Sequence, residues 1–156
     1  MREGLPAPDF TLPDQEGREV RLQDLRGQPV VLFFYPRAMT SGCTVEAREF
    51  RDAYARFRRR GVVVLGASPD TVKAQKRFAE KEQLPFPLLA DEARTLAESY
   101  GVLKEKNMYG RKVVGVARTT VLIGRDGVVR RVLARVKPAG HAEEVLREIQ
   151  AVGLTD

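Results

Sequence analysis

Two stretches of the chain are apolar at consecutive positions rather than alternating ones. "PVVLFFY" (residues 29–35) and "GVVVLGAS" (61–68) therefore read as strands buried on both faces. Between them, Val45, Phe50, Tyr54 and Phe57 recur near helical spacing, which predicts a helix over residues 41–60. "SPDTVKAQKRFAEKEQ" reads as a second helix with Ser68 or Asp70 as its cap. "LPFPLLAD" is extended and broken by Pro85 and Pro87, and "DEARTLAESYG" is a short helix with Asp91 at its start and Gly101 beyond its end.

Toward the N-terminus, "DFTL" and "REVRL" flank the turn "PDQEG" and predict a hairpin. Toward the C-terminus, "VLKEKNMYGRKVVGVA" reads as a polar loop entering a strand. "RTTVLIGRDGVVRRVLARV" is a hairpin turning at "RDG", and "GHAEEVLREIQAVG" is a closing helix. Strands that alternate with helices and end in a hairpin imply an α/β architecture with a mixed sheet. The element order is that of a thioredoxin-like fold: a central mixed sheet flanked by helices, with an N-terminal hairpin. With 156 residues, it is expected to form one domain over 1–156.

Composition removes several function classes. The chain is 43% hydrophobic and 31% charged, as in a folded globular protein. No apolar run reaches the length of a membrane span, and the opening "MREGLPAPDF" lacks a signal-peptide core, so a cytoplasmic location and no membrane partner are expected. The net charge of +6 comes from basic residues interspersed with 21 acidic ones, which argues against a nucleic-acid surface. The densest basic cluster, "RFRRRG", ends the first predicted helix, where cations suit the negative end of the dipole. One Cys and one His exclude an intrachain disulfide, a CxxC pair and a zinc site built from Cys and His.

The single cysteine lies in "PRAMTSGCT", where the first buried strand turns into the first long helix. With Thr40 as the cap, Ser41, Gly42 and Cys43 become the first three helical positions. A thiolate at the third position would face free backbone N–H groups, the Thr40 hydroxyl and the positive end of the dipole, each of which favours the anion. Gly42 puts no side chain beside the sulfur, and Pro36 ends the strand and shields one side. Such a pocket suits peroxides, which are small and carry a weak O–O bond. A fixed guanidinium would stabilise the departing oxygen without losing its own proton. Composition alone does not choose among 20 arginines.

"YPRAMTSGCT" resembles the peroxiredoxin pattern P-x-x-x-T/S-x-x-C. "APDFTLPDQEG", "VVLFFYP", "GASPDTVKAQKRFAEKEQLPFPLLAD", "NMYGRK", "ARTTVLIGRDG" and "GHAEEVL" are similar to the bacterioferritin-comigratory-protein, or Q-type, branch, over nearly the whole chain. The resemblance implies a thioredoxin-fold thiol peroxidase with no cofactor and no metal. It assigns Cys43 as the peroxidatic cysteine, Thr40 as hydrogen-bonded to the sulfur and the peroxide, Pro36 as the shield and Arg118 of "ARTT" as the guanidinium. Arg37, in the same loop as Cys43, is the next candidate.

Many members of this branch carry a second cysteine five residues after the first, and here that position is Arg48. The chain is therefore expected to use a one-cysteine mechanism, with an external thiol as reductant: thioredoxin, glutaredoxin or a small thiol. Hydrogen peroxide and organic hydroperoxides are the expected substrates, and Ala38, Met39 and Ser41 give the pocket mouth an apolar character. The resemblance favours a monomer, with a dimer as the alternative. A peroxide sensor that passes oxidation to a partner by mixed disulfide is the second reading. His141 reads as a helix-start or surface residue with nothing nearby to pair with it.

Overall fold

The computed structural model describes residues 1–155. Its centre is a five-stranded sheet in the order β5-β4-β3-β8-β9. The parallel half is β3 (Val30–Phe34), β4 (Val63–Ser68) and β5 (Leu88–Ala90). The other half is the antiparallel hairpin β8 (Thr119–Ile123) and β9 (Val129–Leu133). β3 is buried at every position because it is the middle strand of a sheet covered on both faces.

Alternation along β3 divides the core. Val31, Phe33 and Tyr35 point to the side of α1 (Ser41–Arg59), α2 (Val72–Glu82) and α4 (His141–Ala151), where they join Phe50, Phe57, Phe78 and Ile149. Val30, Leu32 and Phe34 point to the opposite side, with Leu96, Ala97 and Tyr100 around α3 (Thr95–Ser99). Phe33 and Phe50 stack with centroids 4.5 Å apart, joining the middle strand to α1. Truncating either ring in a core this dense would cost about 3–5 kcal/mol. The stack fixes α1 over the sheet, and with it the direction in which Cys43 points.

The N-terminal hairpin is present as β1 (Thr11–Pro13) and β2 (Glu19–Arg21), in register at Leu12 and Val20. Three expectations need correction. The α2 cap is Thr71, whose hydroxyl accepts from the Ala74 N–H, because Ser68 is still in β4 and Asp70 is turned elsewhere. Asp91 does serve the start of α3, where its carboxylate accepts the Leu96 and Ala97 N–H groups. The capping position itself, however, is Arg94 in the left-handed region. The predicted polar loop is a second hairpin, β6 (Leu103–Met108) and β7 (Arg111–Val116), turning at Tyr109-Gly110 with φ of 53° and 77°. Two consecutive positive φ angles make the tight turn that matches strand twist, and Gly110 adopts its share without strain.

Candidate active site

α1 begins where expected. Thr40 is the N-cap residue, so Ser41, Gly42 and Cys43 fill the first three helical positions. The loop that leads in is pinned from the neighbouring strand. Asp70, just past β4, accepts the Ala38 N–H at 2.8 Å and the Ser68 hydroxyl at 2.6 Å. Tyr35 donates to Gln75 at 2.7 Å, and Gln75 donates to Ser68 and to the Leu89 carbonyl. Burial keeps the Tyr35 phenol protonated, its pKa raised far above the ordinary value. Met39, with φ of 67°, absorbs the turn between this anchored loop and the helix.

Cys43 is 1% exposed. Arg118, in the short link between β7 and β8, donates from Nη2 to the Cys43 sulfur at 3.5 Å. The guanidinium is positioned by a residue that the sequence did not single out. Glu46, one turn along α1 and completely buried, accepts from Arg118 Nη1 at 2.8 Å. Burial alone would lower the Arg118 pKa, but the charge interactions and hydrogen bonds with Cys43 and Glu46 outweigh it and raise it. Burial pushes the Glu46 carboxyl up to about 7 against the opposing pull of Arg118, with Glu49 adding a further upward push.

Gly42 makes this arrangement possible in a way the sequence did not suggest. A Cβ there would sit 3.2 Å from Arg118 Nη2 and 3.4 Å from Pro138, so the space that glycine leaves is filled by the guanidinium.

Behind Arg118 lies a buried polar chain. His141 is the first residue of α4 but is 1% exposed, with its ring edge-on to Phe50 at 5.7 Å. The expectation of an unpartnered helix-start or surface residue holds only for its place in the helix. Nδ1 is 2.8 Å from Glu144 and Nε2 is 2.6 Å from the Thr120 hydroxyl. Burial lowers the His141 pKa, so the ring is neutral. A carboxylate can only accept, which puts the proton on Nδ1 and leaves Nε2 to accept from Thr120. The second Glu46 oxygen, Oε2, has no hydrogen-bond partner among the described residues and lies 3.9 Å from His141 Nε2. A buried polar atom without a partner costs about 1–3 kcal/mol, and such an atom calls for an explanation.

The other expected site residues fall as follows. The Thr40 hydroxyl donates to the Arg37 carbonyl at 2.8 Å, so in this state it is engaged within the loop and makes no side-chain cap bond. Pro36 is half-buried where β3 ends, and Arg37 is exposed. Val45, expected on the apolar face of α1, is 39% exposed; Cys43, Glu46, Ala47 and Phe50 form the buried face instead. Arg48 is directed away from the site and grips Glu82 at the end of α2 with two hydrogen bonds, of 2.6 and 3.1 Å. A buried sulfur in the first turn of a helix, with a guanidinium at hydrogen-bond range, is placed to attack a small electrophile with a donor beside the charge that develops.

Comparison with known proteins agrees with this chemistry. Residues 4–132 match the model of the AhpC/TSA family. A putative peroxiredoxin Bcp from Coxiella burnetii is 49% identical over 92% of this chain and 95% of its own. Peroxiredoxin Bcp of Escherichia coli is 44% identical over 94% of each chain. Among solved structures, the bacterioferritin comigratory protein of Xanthomonas campestris, studied for its alkyl peroxide reduction, superposes with a TM-score of 0.91. It is 36% identical and covers 96% of this chain, which in turn covers 98% of it. No helix of the described residues is long and apolar enough to cross a membrane. On this sequence and structural likeness the chain is a thiol-dependent peroxidase, taking a peroxide as substrate and a thiol as reductant; it belongs to the AhpC/TSA family, in the Bcp or peroxiredoxin Q branch, as a one-cysteine member.

Proposed function

We propose that Cys43 is the peroxidatic residue and that Arg118 holds its thiolate and then the oxygen that departs. The observation that carries this reading is the 3.5 Å approach of Arg118 Nη2 to the sulfur, made by a guanidinium already fixed through Nη1 to buried Glu46. A donor fixed in advance at the place where charge develops needs no rearrangement during the reaction. The thiolate attacks the nearer peroxide oxygen, an S–O bond forms as O–O breaks, and the sulfur is oxidised by two electrons to a sulfenic acid. Thr40 takes the peroxide when its hydroxyl gives up the Arg37 carbonyl, and Pro36 closes the strand side of the pocket.

No second thiol exists in the chain, so an external thiol restores Cys43 through a mixed disulfide. Thioredoxin, glutaredoxin and a small thiol all supply that chemistry, and the need for a reduced thiol fits a cytoplasmic setting. The apolar, exposed Met39 and Val45 near the helix start favour organic hydroperoxides alongside hydrogen peroxide.

Two measurements test the assignment. Cys43→Ser should abolish peroxide consumption with added thiol while circular dichroism stays unchanged. Intact mass after peroxide alone should show a gain of one oxygen and then a second, with monomer dominating on non-reducing gels. Residual turnover in Cys43→Ser, or rapid conversion of the wild type to a disulfide-linked dimer, would contradict the proposal.

A further inference from the structure

Four ionisable groups are enclosed together between α1, the β7–β8 link and α4: Cys43, Glu46, Arg118 and His141. When Cys43 is a thiolate, Arg118 contributes one positive charge and Cys43 and Glu46 contribute one negative charge each. The enclosed set is then one proton short of neutral, and burial penalises an uncompensated charge. After oxidation to a neutral sulfenic acid, Arg118 and Glu46 balance each other with no further proton.

The geometry points to a place for that proton. Glu46 Oε2 is buried, has no hydrogen-bond partner among the described residues and lies 3.9 Å from His141 Nε2. His141 Nδ1 reaches Glu144, whose side chain is 48% exposed, so the ring links the enclosed carboxylate to solvent. We propose that Glu46 and His141 act together as a proton-holding pair, occupied while Cys43 is a thiolate and emptied when Cys43 is oxidised. His141 is thus a positioning residue that acts through Glu46, not a group that touches the peroxide. This inference rests on the assignment of Cys43 as the oxidised residue.

The step balances. Thiolate, ROOH and one proton give sulfenic acid and ROH. The leaving oxygen departs as RO⁻ and takes its proton from water at the pocket mouth. The pair returns one proton to solvent by way of the His141 ring and Glu144, after which the ring is again the Nδ1–H form with Nε2 accepting from Thr120. The net uptake from solution during oxidation is therefore close to zero. Other charges face the pair at its rim. Glu49, on α1, accepts the Gly140 N–H at the start of α4 and faces both members, and Glu144 faces His141 from α4 itself. Both are anions and favour the proton, whereas Arg118 opposes it. The Glu46 carboxyl, pushed up to about 7, titrates in the range where the exchange would operate.

The test is a single-turnover oxidation by hydrogen peroxide in weakly buffered solution near neutral pH. A pH indicator reads proton uptake, and intact mass reads the oxygen gained on Cys43 in the same sample. The wild type should take up less than about half a proton per sulfenic acid formed, by linkage to the emptied pair. Glu46→Gln and His141→Gln should each rise toward one. A full proton in the wild type, or variants that match the wild type, would overturn the inference while leaving the Cys43 assignment intact. Absence of any oxygen gain on Cys43 would overturn both.

Discussion

Two arginine–glutamate pairs meet on α1 two residues apart, and they behave in opposite ways. Arg118–Glu46 is enclosed, with side chains 16% and 0% exposed. Arg48–Glu82 is open on the arginine side, with side chains 51% and 6% exposed. In the first pair, burial dominates and raises the carboxyl to about 7. In the second, the Arg48 hydrogen bonds dominate and hold the Glu82 carboxyl below its ordinary value. The same two residue types therefore make an enclosed clamp beside Cys43 in one place and a tie between α1 and α2 in the other. The solvent around them decides which. Arg48 stands where the family resemblance would place a second cysteine, and here that position supplies a tie to Glu82.

The difference has opposite consequences for stability against pH. Glu46 binds its proton more tightly when folded, so its contribution is fully present below the unfolded value of 4.5 and is lost as the pH rises through about 7. Glu82 binds its proton less tightly when folded. Its contribution is present above its ordinary value and is lost as the pH falls through the depressed one. Replacing Glu46 with Gln should remove the first dependence. Between pH 4.5 and 7 the wild type should lose up to about 3 kcal/mol relative to Glu46→Gln in urea unfolding, at 1.36 kcal/mol per pKa unit. Parallel curves for the two proteins would mean that Glu46 is not enclosed as described.

A second prediction separates packing from chemistry at the enclosed pair. Gly42→Ala places a methyl 3.2 Å from Arg118 Nη2, which must shift by a few tenths of an ångström. Alanine is the better helix former by up to about 1 kcal/mol, so stability should hold or rise. Oxidation of Cys43 should nevertheless slow several-fold, because a donor displaced from 3.5 Å loses much of its hold on the sulfur. An unchanged stopped-flow rate would show that the clamp tolerates displacement. The smallest effect belongs to the open pair. Arg48→Ala should leave the oxidation rate unchanged and lower stability only slightly, and a large loss of rate would mean that the two pairs are coupled along α1.

Much of the scaffold was legible because it follows from local rules. A run of apolar residues identified β3, helical spacing identified α1, and a cap followed by three positions put Cys43 in the first turn. The β6–β7 hairpin escaped because its strands are almost wholly exposed and carry Lys104, Glu105, Lys106 and Lys112, so no buried face imposed an alternation. The partners of Cys43 are a different case. Arg118 is 75 residues away and emerged only through resemblance to a family. Glu46 is one of several charged residues on a basic helix, and nothing local marks it as the one that Arg118 and His141 will meet. His141 looked like a helix start because it is one. Its burial is made by Phe50 and Thr120, which reach it only after the sheet and helices have packed.

The central claim is that Arg118, held by Glu46, is the guanidinium that serves Cys43. Arg118→Lys tests it most directly, since lysine keeps the positive charge but loses the planar fork that spans the carboxylate and the sulfur. One charge-assisted hydrogen bond is worth about 1.5–3 kcal/mol, so the second-order rate of Cys43 oxidation in stopped flow should fall at least about tenfold. A rate close to that of the wild type would contradict the account and turn attention to the exposed Arg37.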